Sequence, residues 1–528
     1  MRVDHQLQIL DNGLCQGIRS CHNDVNLVYR SAAYFVALSP TFLFDKLKSI
    51  ILLAYKVTIS FVLMNCARTI TFLTLLVSFF SGFCQQSVPV FTNRKDSIDY
   101  AITTDSIQLF LKRNQNRMSY GVPSKGLDSL FNLQRTLREK AIGFRDIYKS
   151  RTGFTTYADL KSGSINPEKV IRLSFDEKVL FAIPEEVYGC INLEEIEFVN
   201  SKITQLPSKL RRLKKLRSIY VYNNEPSKRL KVKRNQTIEK LTIRGSYGAF
   251  LPVNFKKLRN LDTLDLKRNL GMTAFPGISR NKKLSKLVLS ENELTLSDLK
   301  KGSLSLKDLN LSKNKIIAIP QAIGMFPQLR NLELSYNQIV NVSADIGKLK
   351  SLESVSFYEN KLTAIPSGIF ELSGLRSIDL YFNRLDEVDP AIENLTQLRI
   401  LYLSNNFLKQ LPESIGNLSN LLALYAHHND LDSLPSSLGK LKQLRRIGLN
   451  DNNLREVPLY FLDFRELEDL DLSGNKIIMF PIGWTNLLKL QTLGIYGNPF
   501  QNRKEVDKEV DQLTKMGTIC RYKIVDTK

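Results

Sequence analysis

Cysteine, tryptophan and histidine are scarce in this chain: six, one and four residues in 528. Four of the six cysteines precede residue 85, which leaves Cys190 and Cys520 and excludes a disulfide framework. Two of the four histidines, His5 and His22, lie in the first 63 residues, so metal and acid–base constellations have little material. One tempting cluster remains, His427-His428-Asn429-Asp430, but adjacent residues at a strand end are expected to point in different directions. No G-x-x-x-x-G-K-[ST] phosphate loop, H-E-x-x-H metal site or G-x-S-x-G elbow occurs. Long apolar runs are also missing. The stretches 49–62 and 69–83 are shorter than the roughly 20 residues a spanning helix needs, and Lys56 and Arg68 interrupt them. Acidic residues are under-represented, 52 against 74 Lys and Arg, and the resulting charge of +22 predicts an anionic partner or surface.

What the chain does have is one pattern written many times. Its cleanest copy is Leu398-Arg-Ile-Leu401-Tyr-Leu403-Ser-Asn-Asn406-Phe-Leu408-Lys-Gln-Leu411-Pro412-Glu-Ser-Ile415-Gly416-Asn-Leu418. Asparagine returns at Asn269, Asn292, Asn314, Asn337, Asn360, Asn383, Asn406, Asn429, Asn452, Asn475 and Asn498, always 23 residues apart except for one interval of 22. A fixed period of this size means a solenoid. Counted by the leading apolar residue, copies begin at Val170, Leu193, Leu216, Ile238, Leu261, Leu284, Leu306, Leu329, Leu352, Leu375, Leu398, Leu421, Leu444, Leu467 and Leu490.

Each letter has a physical task. The last two leucines of L-x-x-L-x-L alternate with polar residues, so a short strand turns one side inward and the other to solvent. The asparagine follows where the chain leaves the strand, and its amide is suited to satisfy backbone groups the turn leaves unpaired. In the second half, proline opens a helical or 3₁₀ turn, and Ile415 and Leu418 point back into the core. No copy can bury its apolar edge alone, so the copies must stack. The first four copies carry Lys178, Ser201, Asn224 and Ser246 at the asparagine position, which weakens the ladder there.

The pattern L-x-x-L-x-L-x-x-N-x-L at this period resembles the leucine-rich repeat of the 23-residue type, found in bacterial secreted and surface proteins and in Ras-associated intracellular scaffolds. The resemblance implies an α/β solenoid, a horseshoe with a parallel concave β-sheet, convex 3₁₀ or short helical turns, and helical caps at both ends. It also implies recognition rather than catalysis, with no cofactor.

Outside the repeats, residues 1–63 lack periodicity and turn chemistry and read as a dispensable leader. Residues 64–84 have the anatomy of a secretory signal peptide: Arg68, an apolar run, then Gly82-Phe83-Cys84 before Gln85. Cleavage is therefore expected near Cys84-Gln85, with a secreted, periplasmic or cell-surface product; membrane association through the leader or a lipid on Cys84 is the variant. Residues 85–165 are expected to form an N-terminal cap with a helix over 125–148, residues 166–500 the repeats, and 501–528 a C-terminal cap with a helix over 503–516. These flanks are too short for a kinase or GTPase domain. Cys190 falls at a core position and reads as a small buried hydrophobe.

Surface then carries function. The third, fifth and seventh residues of each copy are expected to project from the concave sheet. Tyr402 and Tyr425 hold the fifth position, Tyr358, Tyr381, His427 and Tyr496 the seventh, and Tyr336 and Phe382 the eighth. Tyrosine buries large area, loses few rotamers and offers a hydroxyl, so these eight make the candidate ligand-binding face. Tyr220 and Tyr222 form a smaller aromatic spot, while Asp469 and Asp471 read as a solvated strand face. A basic patch is written into two early copies: Arg211, Arg212, Lys214, Lys215, Lys228, Arg229, Lys231, Lys233 and Arg234, with Glu225 and Glu239 for company. The expectation is an exported, non-enzymatic protein that binds a protein or an anionic polysaccharide or surface, not nucleic acid. An intracellular Ras-associated type of scaffold is the alternative if the leader stays uncleaved.

Overall fold

The computed structural model describes residues 88–90, 143–145, 153–176, 180–252 and 255–522. The chain divides after Gln86 into two units, and the first lies wholly outside the described residues, together with the expected leader and signal peptide. The expected helix over 125–148 also lies outside them, apart from Gly143–Arg145, which is a strand paired antiparallel with Val88–Val90.

Seventeen strands form one parallel sheet, paired in chain order. Fifteen of them start two residues after the leading apolar residue of a copy, from Arg172–Asp176 to Thr492–Gly494. Thr155–Thr156 precedes them and Ile519–Arg521 follows, and among the described residues each of these two has one partner strand. Register is constant: Leu332, Val355, Ile378, Leu401, Leu424, Ile447 and Leu470 lie side by side on the inward face. All are buried, and with the return-half positions such as Leu408, Ile415 and Leu418 they make one continuous core. Stacking is what buries the edge that a single copy leaves bare.

The return halves are mostly short 3₁₀ turns, as in Glu413–Asn417 and Ser436–Lys440. Pro412 and Pro435 stand just before these turns, at the residue that enters them, rather than inside the first turn. The copy from Leu216 lacks the Leu-Pro pair and builds a strand instead, Lys231–Val232 beside Gln205–Leu206. At the ends sit two α-helices, α1 (Tyr157–Lys161) and α2 (Arg503–Lys515). α2 buries Val506 and Leu513, and its Glu509 carboxylate accepts the amide N–H groups of Gly483 and Thr485 at 2.9 and 3.3 Å. Trp484 is buried there, stacked on Phe480 with its indole N–H donating to the Pro481 carbonyl at 2.8 Å. Cys190 is buried among apolar side chains, which pushes its thiol up to about 11, and neither it nor Cys520 is in a disulfide.

Two backbone devices set the concave rim. In every copy from Leu193 to Leu490 the eighth residue is left-handed, with φ between 49° at Asn223 and 71° at Gly497. The ninth is the asparagine. Asn406 donates to the carbonyls of Leu380, Leu403 and Ser404 at 3.0, 2.9 and 3.2 Å and accepts the Leu385 N–H at 2.9 Å. Asn429 and Asn452 repeat the arrangement, so the ladder runs through backbone groups, each amide tying its own copy to the one before.

Candidate functional site

From Thr263 onward the strands span only positions three to five, so the seventh residues stand just past the strand. In six of these copies the fifth side chain captures the seventh amide: Asp379 Oδ1 accepts the Tyr381 N–H at 3.0 Å and Ser356 Oγ that of Tyr358 at 3.3 Å. A donor diverted to a side chain is lost to the ladder, and the strand ends. In the copy where Tyr425 holds the fifth place, the His427 N–H goes instead to Ser404 Oγ of the preceding copy at 3.1 Å.

These turns bring Tyr358 and Tyr381 into a stack with centroids 5.3 Å apart, and Tyr336 packs on Tyr358 at 5.1 Å. Phe382 meets Tyr381 edge-on at 4.5 Å and Tyr358 at 5.9 Å. Tyr381 also reaches His427, two copies on, at 5.5 Å, over the small Ser404. Six rings thus form one surface, because His428 contacts His427 at 5.2 Å. The adjacent histidines do not point apart. His428 occupies the left-handed corner, which turns its side chain back, and its Nε2 lies 3.5 Å from the Asp451 carboxylate. Among the described residues no group of three His, Cys, Asp or Glu is placed to hold a metal.

Tyr402 and Tyr425 form a separate parallel pair at 5.0 Å with planes 8° apart. Tyr496 is buried beyond them, under the influence of Asp451 and Asp471, and burial first of all pushes its phenol up to about 12. It does not join the six rings through any ring contact among the described residues. Tyr220 and Tyr222 are buried too, in a cluster of their own with Val199, so they are not an exposed spot. Asp469 is half-buried rather than freely solvated, and desolvation followed by the Asp471 charge raises it.

Electrostatics follow from burial. His427 is driven down to about 4, first by desolvation and then by His428, and its Nδ1 is buried with no hydrogen-bond partner. Burial, then Tyr336, raises the Tyr358 phenol far above its ordinary value. The rings nevertheless stay reachable, with Tyr336 41% and Phe382 36% exposed. Both sit at the left-handed eighth position, at φ 56° and 53°, where bulky side chains cost on the order of 1–2 kcal/mol. Gly, Asn and Asp fill that corner in seven copies and Arg268, Glu291, Lys313, Glu359 and His428 in five others, so the corner is imposed by the repeat whatever residue it carries. Periodicity marks the positions in the sequence; their left-handed backbone it does not reveal.

The basic patch occupies the return halves of two early copies. Arg211 and Arg212 end the turn Ser208–Arg212, and Lys231 lies in the extra strand. All nine residues are exposed, and among the described residues none pairs with a carboxylate. Lys215 donates to Asn192 Oδ1 at 2.8 Å and Arg229 to the Ala249 carbonyl at 3.2 Å.

A leucine-rich repeat region family matches residues 388–528, and a leucine rich repeat family matches 327–385 and 350–408. This chain is a leucine-rich repeat protein. Among solved structures, a leucine-rich repeat protein of Leptospira interrogans superposes with a TM-score of 0.58 at 25% identity, covering 70% of this chain and all of that one. An internalin of Listeria monocytogenes gives 0.41 at 18%, covering 66% and 85%, and the Toll–Spatzle complex of Drosophila 0.48 at 22%, covering 62% and 42%. No curated protein sequence matches the chain. Leucine-rich repeat folds commonly mediate protein binding, and this one presents its six contacting rings on the rim of the sheet.

Proposed function

We propose that this leucine-rich repeat protein is exported and recognises a protein partner on its concave side, at the surface formed by Tyr336, Tyr358, Tyr381, Phe382, His427 and His428. The observation that carries this reading is the contiguity of the rings drawn from four copies, three of them (Tyr336, Phe382 and His428) exposed at the left-handed corner. Aromatic side chains in such a cluster supply interface energy at small entropic cost. The test compares partner capture by the full chain, by Tyr358→Ala with Tyr381→Ala, and by Phe382→Asn, which suits the left-handed corner. A partner retained by the parent and lost by both variants, at unchanged melting temperature, supports the site. Equal retention by all three overturns it.

Export rests on the signal-like residues 64–84. N-terminal sequencing and intact mass of the native protein test it: Gln85 at the terminus in an extracellular or periplasmic fraction is expected. An intact chain from Met1 in the cytosol would leave the intracellular scaffold as the reading.

The unpaired basic patch favours a second contact, with an anionic polysaccharide. Retention on a sulfated polysaccharide column should fall when Lys228, Lys231 and Lys233 are replaced by Gln.

A further inference from the structure

Beside the aromatic surface, the fifth positions of five successive copies read Glu333, Ser356, Asp379, Tyr402 and Tyr425. Small residues floor the space between the two carboxylates: Ser356, with Ser354 and Ser377 one step along their strands. The carboxylates are joined through hydroxyls. Ser335 donates to Glu333, Ser335 and Ser356 lie 2.8 Å apart, and Ser356 Oγ donates to Asp379 Oδ2 at 3.1 Å. An open groove of about 280 Å³ starts over Glu333, Ser354 and Ser356 and runs toward Lys286.

Among the described residues no Lys or Arg is ion-paired with either carboxylate. Earlier on the same sheet, Asp265 is bound by Arg244 and Glu291 by Arg268 and Lys267. Glu333 and Asp379 are both half-buried, and among the described residues neither has an ion pair, in a chain that carries +22 overall. The nearby Arg330 and Arg376 are turned instead to Glu353, at 3.5 Å each. Burial, with Glu333 as the like charge, raises the Asp379 carboxyl, so the pair is short of positive charge. Three tyrosines stand beside the pair: the Tyr358 and Tyr381 amides are held by Ser356 and Asp379, and Tyr402 lies next to Asp379 on the following strand.

Two carboxylates with tyrosines beside them fit a group that is cationic, planar and able to donate in two directions at once. Building on the concave-face reading above, we propose that the site takes an arginine side chain of a partner polypeptide, its guanidinium between Glu333 and Asp379 and against the tyrosines. The local charge here is opposite to that of the whole molecule, so a polyanion belongs elsewhere on the surface.

The test is selection of random displayed peptides on the full chain, followed by affinity measurement with the parent and two variants. Glu333→Gln with Asp379→Asn removes the charge and keeps the acceptors; Asn310 already makes the same bond from this position, to the Ser312 N–H at 3.0 Å. Tyr358→Ala with Tyr381→Ala removes the rings. Selected peptides should share an arginine, and replacing it with citrulline should weaken binding about tenfold, as should the amide variant. Peptides that lack arginine, or that bind the amide variant equally while failing on the tyrosine variant, overturn the guanidinium site and leave the aromatic surface standing. Peptides indifferent to the tyrosine variant, or no peptide at all, overturn both.

Discussion

At the scale of single residues, the asparagine and the histidine carry separable burdens. Asn406 alone accepts the Leu385 N–H, whereas the carbonyls of Leu380, Leu403 and Ser404 each keep a second donor, from Asn383, Asn429 and the Phe382 N–H, so Asn406→Ala strands one buried N–H. The expected cost is about 1–3 kcal/mol, read from the urea midpoint. His427 is held neutral by burial, at about 4 against 6.5 for the free side chain. The folded state therefore binds fewer protons than the unfolded one between these values. Stability should be full above pH 6.5, decline as pH falls toward about 4, and level off below. In His427→Gln that part of the decline should vanish; urea midpoints measured across the interval decide it. An unchanged slope in the variant would assign the acid sensitivity to other groups.

At the scale of elements, the spacing of copies depends on how closely consecutive 3₁₀ turns approach. Gly416 shows the limit, since a Cβ added there would overlap the Ser437 carbonyl of the next turn. Gly416→Ala should separate the two turns and cost about 1–3 kcal/mol in thermal unfolding, with no change at the aromatic surface on the other half of the copy. Proline, before these turns rather than in them, sets the extended entry and leaves the turn's own amides to bond. The terminal helix has a comparable role for the last copy, through Val506, Leu513 and the Glu509 contacts to Gly483 and Thr485.

At the scale of the repeat array, each copy packs on its two neighbours, with the Tyr381–His427 contact reaching one copy further, so opening should begin at an end. Leu513→Ala, in a fully buried site, should cost about 2–5 kcal/mol. Amide exchange should then rise first in Ile519–Arg521 and Thr492–Gly494, while central strands such as Ile400–Tyr402 keep their protection. Uniform loss of protection would mean that the array unfolds as one unit. Charge is also divided at this scale: unpaired bases on the early return halves, unpaired carboxylates on the later concave side. A net charge of +22 describes neither surface.

The repeat, its strands and its asparagine ladder were legible in the sequence, because a period of 23 forces every copy into the same environment and writes one residue type at each buried position. Val170, Leu193 and Leu490 locate their strands without any other information, and Arg503 to Met516 locates the closing helix. The aromatic positions were legible as residues but not as a site. Only stacking decides that Tyr381 reaches His427 across Ser404 while Tyr402 and Tyr425 pair apart, that Tyr220 and Tyr222 are buried, and that Tyr496 stands alone. The reason is that ring contacts and burial depend on side chains from different copies, and on a left-handed corner that residues as unlike as Phe382, His428 and Gly474 all adopt. The missing counter-charge at Glu333 and Asp379 belongs to the same class: composition counts charges, and only the folded sheet shows which of them meet.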